Sequence, residues 1–216
     1  MRNNNCWGQF KMQIEREKRY LIENFDRSAL ESLGEPIHMA QYYLQMCDYV
    51  KSAINYYHGQ SARIMAVEAR VRLVDGQKGR LCYFTVKGEG NLARKESEVM
   101  IPEGVAENLI ENYAEGVVEK ERYMHRTGLH IVEINNFLDR DLILAEIEYD
   151  GDVFTEEDID KEISQVITSL DPNAKITDKT LDGNFKNKNL ALPYQPNEDG
   201  YDDCDEYDDE DEDMNE

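Results

Sequence analysis

Charged residues recur at every second position in several short segments of this chain, and this spacing limits its fold most strongly. In the segment QIEREKRYLI, Glu15, Glu17 and Arg19 are two residues apart. Successive side chains of a β-strand point to opposite faces, so these three would share one face. Like charges at i and i+2 lie roughly 7 Å apart, and at an effective dielectric constant of ~20 their repulsion costs about 2 kcal/mol. Such a face requires partners of opposite charge.

The same spacing recurs further along the chain, with an apolar face behind it. The later sets are Arg70 with Arg72, Lys120 with Arg122, Glu146 with Glu148, and the row Arg94, Glu96 and Glu98. Lys87 stands alone before a glycine, and Val71 and Ile147 alternate with the charges. Each of these segments is therefore predicted to be a strand with one charged and one apolar face.

Two interpretations of the charged faces are open. An antiparallel sheet with a solvated outer face is common and explains any single pair. A closed barrel with the charged faces inward explains the whole set, because acidic and basic pairs lie on separate strands and would meet across the interior. There, glutamate pairs need divalent cations, while arginine and lysine pairs need a polyanion. A ligand made of phosphates with Mg²⁺ or Mn²⁺ satisfies both needs.

The remaining pattern places helices between these strands. Asp26 and Gly34 bracket a short predicted helix, and residues 45–60 fit either a helix or a long hairpin. An antiparallel meander is predicted from Met65, followed by a helix that Pro102 opens and Gly116 closes. Strands return before a second long helix, for which Thr155 is the predicted N-cap and Asp158 the N3 residue.

The acidic charge is concentrated at one end. The chain has 216 residues and a net charge of −22, and residues 197–216 contain 13 of its 46 acidic residues and no lysine or arginine. Such a run cannot bury a core, so we predict a flexible segment at 1–12, one domain at 13–194 and a disordered acidic tail at 195–216. The body is only moderately acidic and does not favour nucleic-acid binding.

Cysteine and histidine spacing excludes a familiar zinc site. Four cysteines and four histidines are scattered, without C-x-x-C or H-x-x-x-H spacing. Scattered thiols suggest a reducing compartment. No run of about 18 apolar residues is present, and no apolar leader precedes the first strand. We therefore expect a cytoplasmic protein without a membrane partner.

The ordered set of motifs resembles the CYTH superfamily, also called triphosphate tunnel metalloenzymes. Eight short segments of this chain are similar to motifs of that family. They are residues 15–19 (E-x-E-x-K), 41–44 (Q-G-Y-L), 70–72 (R-x-R), 85–88 (T-[IV]-K-G), 94–98 (R-x-E-x-E), 120–123 (K-x-R-Y), 145–148 (A-E-[IV]-E) and 187–194 (N-x-x-L-A…P-Y). The resemblance covers roughly residues 13–194. Two positions depart from it: Arg19 stands where the family has lysine, and Asn135 replaces an aspartate, while Glu133 is retained.

The resemblance implies an α+β fold built on an eight-stranded antiparallel barrel with flanking helices, forming a tunnel open at both ends that binds a triphosphate and Mg²⁺ or Mn²⁺. The implied metal ligands are Glu15, Glu17, Glu146 and Glu148, with Glu96 and Glu98 orienting cations or touching a second metal. The implied phosphate-binding residues are Arg19, Arg70, Arg72, Lys87, Arg94, Lys120 and Arg122. Glu15, Glu17, Lys87 and Arg94 are predicted to take part in catalysis.

Three functions remain open at this point. The first is a metal-dependent triphosphatase acting on a small-molecule triphosphate, with inorganic tripolyphosphate favoured. The second is a class IV-type adenylyl cyclase of the same superfamily. The third is a non-catalytic module that binds polyphosphate or a nucleotide, in which the acidic tail docks a basic protein partner.

Overall fold

The computed structural model describes residues 13–76, 79–90, 92–128 and 130–196, without the side chains of Gln13 and Glu15. The segment predicted to be flexible at 1–12 and residues 197–216 of the predicted acidic tail lie outside the described residues.

The described chain alternates short helices with ten strands. The strands are β1 (Gln13–Glu23), β2 (Ile37–Leu44), β3 (Glu68–Gly76), β4 (Gly79–Lys87), β5 (Ala93–Met100), β6 (Ala114–Arg126), β7 (Ile131–Phe137), β8 (Ile143–Glu148), β9 (Lys175–Asp178) and β10 (Leu192–Pro193). The α-helices are α1 (Asp48–His58), α2 (Gln60–Met65), α3 (Glu103–Tyr113), α4 (Glu156–Leu170) and α5 (Asn187–Leu190). Two 3₁₀ helices span Arg27–Leu33 and Gly183–Phe185.

Strands β1 to β8 form a closed antiparallel barrel. Around the ring the order is β1, β5, β4, β3, β2, β6, β7 and β8, and β8 pairs again with β1. The short strands β9 and β10 add to β1 and β6. This confirms the predicted α+β fold with an eight-stranded antiparallel barrel and flanking helices, which is the architecture that the CYTH resemblance implies.

The apolar faces of the strands point outward and are covered by helices. On one side, Val50 and Ile54 of α1 belong to the same buried cluster as Val71 and Phe84 of the barrel wall. On the other side, α4 packs its apolar stripe over β7 and β8. Fully burying one such aliphatic side chain contributes about 1.5–3 kcal/mol, so helix packing stabilises the barrel from outside. The charged faces are thereby left to the interior.

Several local predictions are confirmed and one is wrong. Asp26 caps the first short helix, which is a 3₁₀ helix, and Thr155 and Asp158 form a reciprocal capping box at α4. Of the two structures predicted for residues 45–60 the helix is correct, since α1 begins at Asp48 and α2 at Gln60. Gly116 does not close α3, which ends at Tyr113; it lies in β6. A Cβ on Gly116 would lie 3.1 Å from the Cβ of Ala191. The close packing of residues 179–193, which we call the C-terminal segment, therefore leaves no room for a side chain at this position.

The barrel interior is divided along its length. At one end the inward positions carry apolar side chains, and Tyr43, Val118 and Leu144 are at most 2 % exposed there. Phe185 and Leu190 of the C-terminal segment pack against this cluster. The C-terminal segment therefore covers apolar side chains of the interior at this end, and the expected tunnel open at both ends stays a prediction. We call this region the apolar end.

Candidate active site in the barrel interior

A cavity of about 250 Å³ occupies the charged part of the barrel. Its described lining consists only of charged and amide side chains: Glu17, Gln41, Arg70, Arg72, Lys87, Arg94, Glu96, Glu98, Arg122, Glu133, Glu146, Glu148 and Asn187. Arg19 and Lys120, the two predicted cations that do not line it, are buried behind it and contact Glu146. The side chain of Glu15 lies outside the described part, so nothing follows for its predicted role.

Strand register explains why residues far apart in sequence meet in this cavity. Glu17 of β1 is the Cα partner of Glu148 of β8, and Lys87 of β4 is the partner of Glu96 of β5. Because side chains alternate along each strand, every second residue from these pairs also faces inward. Closure of the ring then brings all charged faces to one lumen.

One set of ion pairs lies on β3, β4 and β5. Arg72 lies 2.7 Å from Glu98, whose second oxygen accepts a hydrogen bond of 2.7 Å from Thr85 Oγ1. Lys87 Nζ lies 2.6 Å from Glu96, which is also 3.9 Å from Arg70. Glu96 and Glu98 therefore each lie in contact with cations of the cavity.

A second set, the Glu146 network, joins β1, β6, β7 and β8. Arg19 Nε donates to Glu146 Oε1 at 2.8 Å, and a second nitrogen of Arg19 contacts Glu17. Glu146 Oε2 accepts hydrogen bonds from Arg122 at 3.3 Å and from Asn135 Nδ2 at 2.9 Å. The carboxylate is only 4 % exposed. Both of its oxygens are thus engaged, and binding a metal there requires exchange of these partners.

The network fixes the protonation state of its members. Burial alone raises the pKa of Glu146, but the cations Lys120, Arg19 and Arg122 outweigh it and hold the pKa well below its usual range. Burial alone lowers the pKa of Arg19, but Glu17 and Glu146 outweigh it and raise the pKa. Each charge is therefore stabilised by its partners and stays ionised near neutral pH.

Lys120 is the exception among the cations. It is fully buried, and its Nζ, 3.8 Å from Glu146, has no hydrogen-bond partner among the described residues. Burial lowers its pKa to about 7, although Glu146 opposes this shift. A neighbouring anion would favour the protonated form, so Lys120 is suited to take up a proton when a polyanion binds.

We expect Lys120→Met to raise stability at low pH and to have a smaller effect at high pH. The unfolded chain binds the proton of this lysine up to about pH 10, whereas the folded chain releases it near pH 7. Between these two pH values the unfolded state holds more protons than the folded state, so the free energy of unfolding of the wild type rises with pH. The free-energy penalty of burying a charged Lys120 is therefore present at low pH and lost at high pH. Thermal unfolding of both proteins from pH 6 to about pH 10 tests this. A difference in melting temperature that stays constant with pH would contradict it.

Glu133 is a site residue that sequence reasoning did not assign. It lines the cavity and pairs with Arg122. Burial raises its pKa, Arg122 opposes this and Glu146 adds to it, so that the pKa is raised overall. Its two-residue spacing from buried Asn135 on β7 follows the same inward pattern as the predicted pairs. The alternating pattern on β7 could therefore have identified Glu133. Gln41 and Asn187, which also line the cavity, likewise belong to quoted motifs.

The hydrogen bonds of Asn135 suit an amide at the position where the CYTH motif has an aspartate. Asn135 Oδ1 accepts a hydrogen bond of 2.8 Å from Arg122 Nε, while its Nδ2 donates to Glu146. An amide can bridge a cation and a carboxylate in this way, because it carries both a donor and an acceptor. An aspartate would instead place a second carboxylate against Glu146.

We expect Asn135→Asp to lower the stability of the metal-free protein by about 1–3 kcal/mol, because Glu146 loses a donor and faces a like charge. Added Mn²⁺ is expected to restore more stability in this variant than in the wild type, because two adjacent carboxylates attract a divalent cation. Thermal unfolding with and without Mn²⁺ measures both effects. Asn136→Asp is the matched control, since Asn136 neighbours Glu121 on the partly exposed outer face. Equal Mn²⁺ responses in the two variants would refute the assignment.

The carboxylates fit a divalent metal by their chemistry. Oxygen ligands suit Mg²⁺ and Mn²⁺, and six glutamates line one small cavity. As they stand, however, no three acidic, histidine or cysteine side chains of the described residues form a group that could hold a metal ion. The reason is visible in the ion pairs, because arginines and lysines lie between the carboxylates.

Comparison with known proteins gives similarity in structure only. No family model and no curated protein matches the chain. Among solved structures, the hypothetical protein NE1496 is 23% identical, with 84% of this chain and 99% of that chain covered and a TM-score of 0.44. Two structures titled "putative adenylate cyclase" are also similar. The one from Bacillus halodurans is 12% identical (81% and 99% covered, TM-score 0.44), and the one from Vibrio parahaemolyticus is 14% identical (74% and 86% covered, TM-score 0.43). These values carry no argument about function.

The helices give no sign of membrane insertion. None of those in the described part of the chain combines the length and the apolar character needed to cross a bilayer.

Proposed function

We propose that this protein is a metal-dependent triphosphatase that hydrolyses inorganic tripolyphosphate inside the barrel. The observation that carries the proposal is the composition of the cavity, whose described lining has six carboxylates, five cations, two amides and no apolar side chain. Phosphoryl transfer relies on positioning and charge stabilisation, which such a lining supplies.

The ion pairs themselves suggest how metal and substrate bind together. Most of the cavity carboxylates pair with a neighbouring cation, as Glu98 does with Arg72 and Glu96 with Lys87. A polyphosphate alone would have to displace carboxylates, and a metal alone would have to displace cations, both at an electrostatic cost. When both bind, the cations turn to phosphoryl oxygens and the carboxylates to the metal. We therefore expect strong positive cooperativity between metal and tripolyphosphate.

Mg²⁺ or Mn²⁺ would be held by carboxylates among Glu17, Glu146 and Glu148, together with Glu15 if its side chain also faces inward. When bound, the metal neutralises phosphate charge and lowers the pKa of water. Arg70, Arg72, Lys87 and Arg94 line the cavity and would orient the phosphoryl groups for in-line attack. Arg19 and Arg122 hold the glutamates in place.

Glu133 is suited to accept the proton of the attacking water. A general base works best when its pKa lies near the working pH, and burial raises the pKa of Glu133 while that of Glu146 is held low. Two neighbouring carboxyl groups with opposite shifts are typical of separate acid–base and electrostatic roles.

The size and chemistry of the cavity favour inorganic tripolyphosphate over nucleotides. About 250 Å³ is less than the roughly 300–1,000 Å³ of pockets that enclose drug-sized ligands. The described lining offers no aromatic ring on which a base could stack. Cyclisation of ATP would need the ribose held in line with the α-phosphorus, and therefore contacts with sugar and base. The cyclase alternative lacks such contacts here.

We expect tripolyphosphate to be cleaved to pyrophosphate and phosphate faster than ATP, and ATP to give ADP and phosphate. Purified protein with Mg²⁺ or Mn²⁺ is incubated with each triphosphate, and products are identified by phosphorus NMR. Cyclic AMP as the main product from ATP would establish the cyclase instead. Tight binding of tripolyphosphate without turnover in either metal would establish the non-catalytic module, for which the mutual pairing of carboxylates and cations is the supporting observation.

A further inference from the structure

The C-terminal segment crosses the apolar end of the barrel and reaches the cavity. Its backbone is tied to β1 where Lys179 N donates to Arg19 O at 2.8 Å. Phe185 and Leu190 pack on the apolar end, and Lys186 Nζ donates to Gly90 O at 3.3 Å in the turn between β4 and β5. The segment is thus anchored at two neighbouring places on the ring, β1 and the turn that precedes β5.

Asn187, the first residue of α5, is the member of this segment that lines the cavity. Its Oδ1 is buried and has no hydrogen-bond partner among the described residues. A buried polar atom is normally paired, so an unpaired one at a cavity wall indicates a ligand or a water at that position. The amide can also rotate by 180°, which places its NH₂ group at the same point.

The surroundings of Asn187 favour an anion. The adjacent Lys186 has a pKa lowered by burial and by the positive charge of Arg94, which also lines the cavity. A phosphoryl oxygen placed here would accept hydrogen bonds from a neutral amide and lie close to these cations. Phe185 and Leu190, two and three residues from Asn187, pack on the apolar end, so the terminus of a ligand at Asn187 would face this segment.

We propose that Asn187 is a further substrate-binding residue, whose side-chain amide hydrogen-bonds the terminal phosphoryl group of a linear polyphosphate at the end of the cavity next to the C-terminal segment. This inference rests on the proposed function for the class of ligand. It adds that the substrate is bound end-on, with one terminus at Asn187 and the remainder directed towards Glu133 and Glu148.

Equilibrium binding tests the contact apart from catalysis when inorganic tripolyphosphate is replaced by its non-hydrolysable imido analogue, so that Mg²⁺ can be present. Calorimetry is performed with the wild type, Asn187→Ala and the isosteric Asn187→Asp. We expect the dissociation constant to rise about tenfold for alanine, which loses one hydrogen bond to a charged group, and about a hundredfold for aspartate, which adds repulsion. Asn189→Ala is the matched control, since Asn189 Nδ2 donates to Gly183 O at 2.8 Å and its loss only loosens the segment. We expect a change of less than about threefold there.

Cyclic trimetaphosphate provides a ligand without a terminus. If Asn187 contacts the terminal group, Asn187→Ala weakens tripolyphosphate binding and leaves trimetaphosphate binding unchanged. Equal tripolyphosphate affinity in wild type and both Asn187 variants, or an equal loss in Asn189→Ala, overturns this inference and leaves the proposed function intact. Absence of tripolyphosphate binding and turnover in the wild type overturns the proposed function itself, and the inference with it.

Discussion

Replacing Glu17 with glutamine is expected to reduce the turnover of tripolyphosphate on the order of a hundredfold to a thousandfold. Glu17 lines the cavity, pairs with Arg19 and lies opposite Glu148 on the neighbouring strand. Glutamine keeps the shape but removes the charge that holds the cation and would ligate the metal. Steady-state turnover at limiting Mg²⁺ measures the effect. The same result is expected of Glu15→Gln on the basis of its position in β1.

The folded state should survive this change. Removing one carboxylate leaves Arg19 its second partner, Glu146, and relieves repulsion among the glutamates. Glu119→Gln is the matched control, because Glu119 lies on the exposed outer face of β6 and should retain full activity. Near-normal turnover of Glu17→Gln at limiting metal would remove Glu17 from the catalytic set.

Arg122→Met is expected to destabilise the protein by about 3–5 kcal/mol. The guanidinium contacts Glu133, Asn135 and Glu146, and all three lie inside the barrel. Methionine fills part of the space but leaves the buried carboxylates of Glu133 and Glu146 with fewer partners. Removing one member of a buried ion pair is strongly destabilising, because the remaining charge is no longer compensated. Urea-induced unfolding at neutral pH gives the free energy directly.

Two further variants separate the lost ion pair from a general effect of the substitution. Arg126→Met changes an exposed arginine of the same strand and should cost less than about 0.5 kcal/mol. Glu133→Gln in the Arg122→Met background should recover part of the loss, because one unpaired charge is removed. If the double variant is as unstable as Arg122→Met alone, the pairing of Arg122 with Glu133 contributes nothing measurable.

Residue alternation predicted most of the site because it is a local property. Once a segment such as β3 is a strand, Arg70 and Arg72 must share a face, and the apolar residues between them must share the other. Alternation left open whether the charged faces point outward or inward, and the coexistence of acidic and basic pairs, together with the family resemblance, favoured the inward direction. The described residues of the predicted set accordingly line the cavity or lie directly behind it.

The unpredicted parts depend on contacts across the ring. Asn187 belongs to the quoted motif at residues 187–194, but its position at the cavity depends on the C-terminal segment folding back over the barrel. The apolar end was missed because inward residues such as Val118 and Leu144 are indistinguishable in sequence from outward core residues. The strands β9 and β10 have four and two residues, too few for an alternating pattern to be recognised.

If the C-terminal segment seals the apolar end, it also constrains the order of events in the proposed catalytic cycle. A pore with one opening admits and discharges molecules through the same passage, so the fragment nearest the opening has to depart first. The fragment held at the blind end waits behind it and blocks the next turnover until it escapes. In the proposed triphosphatase, accumulated product would then slow turnover by occupying the cavity, and product escape would limit the rate at saturating substrate.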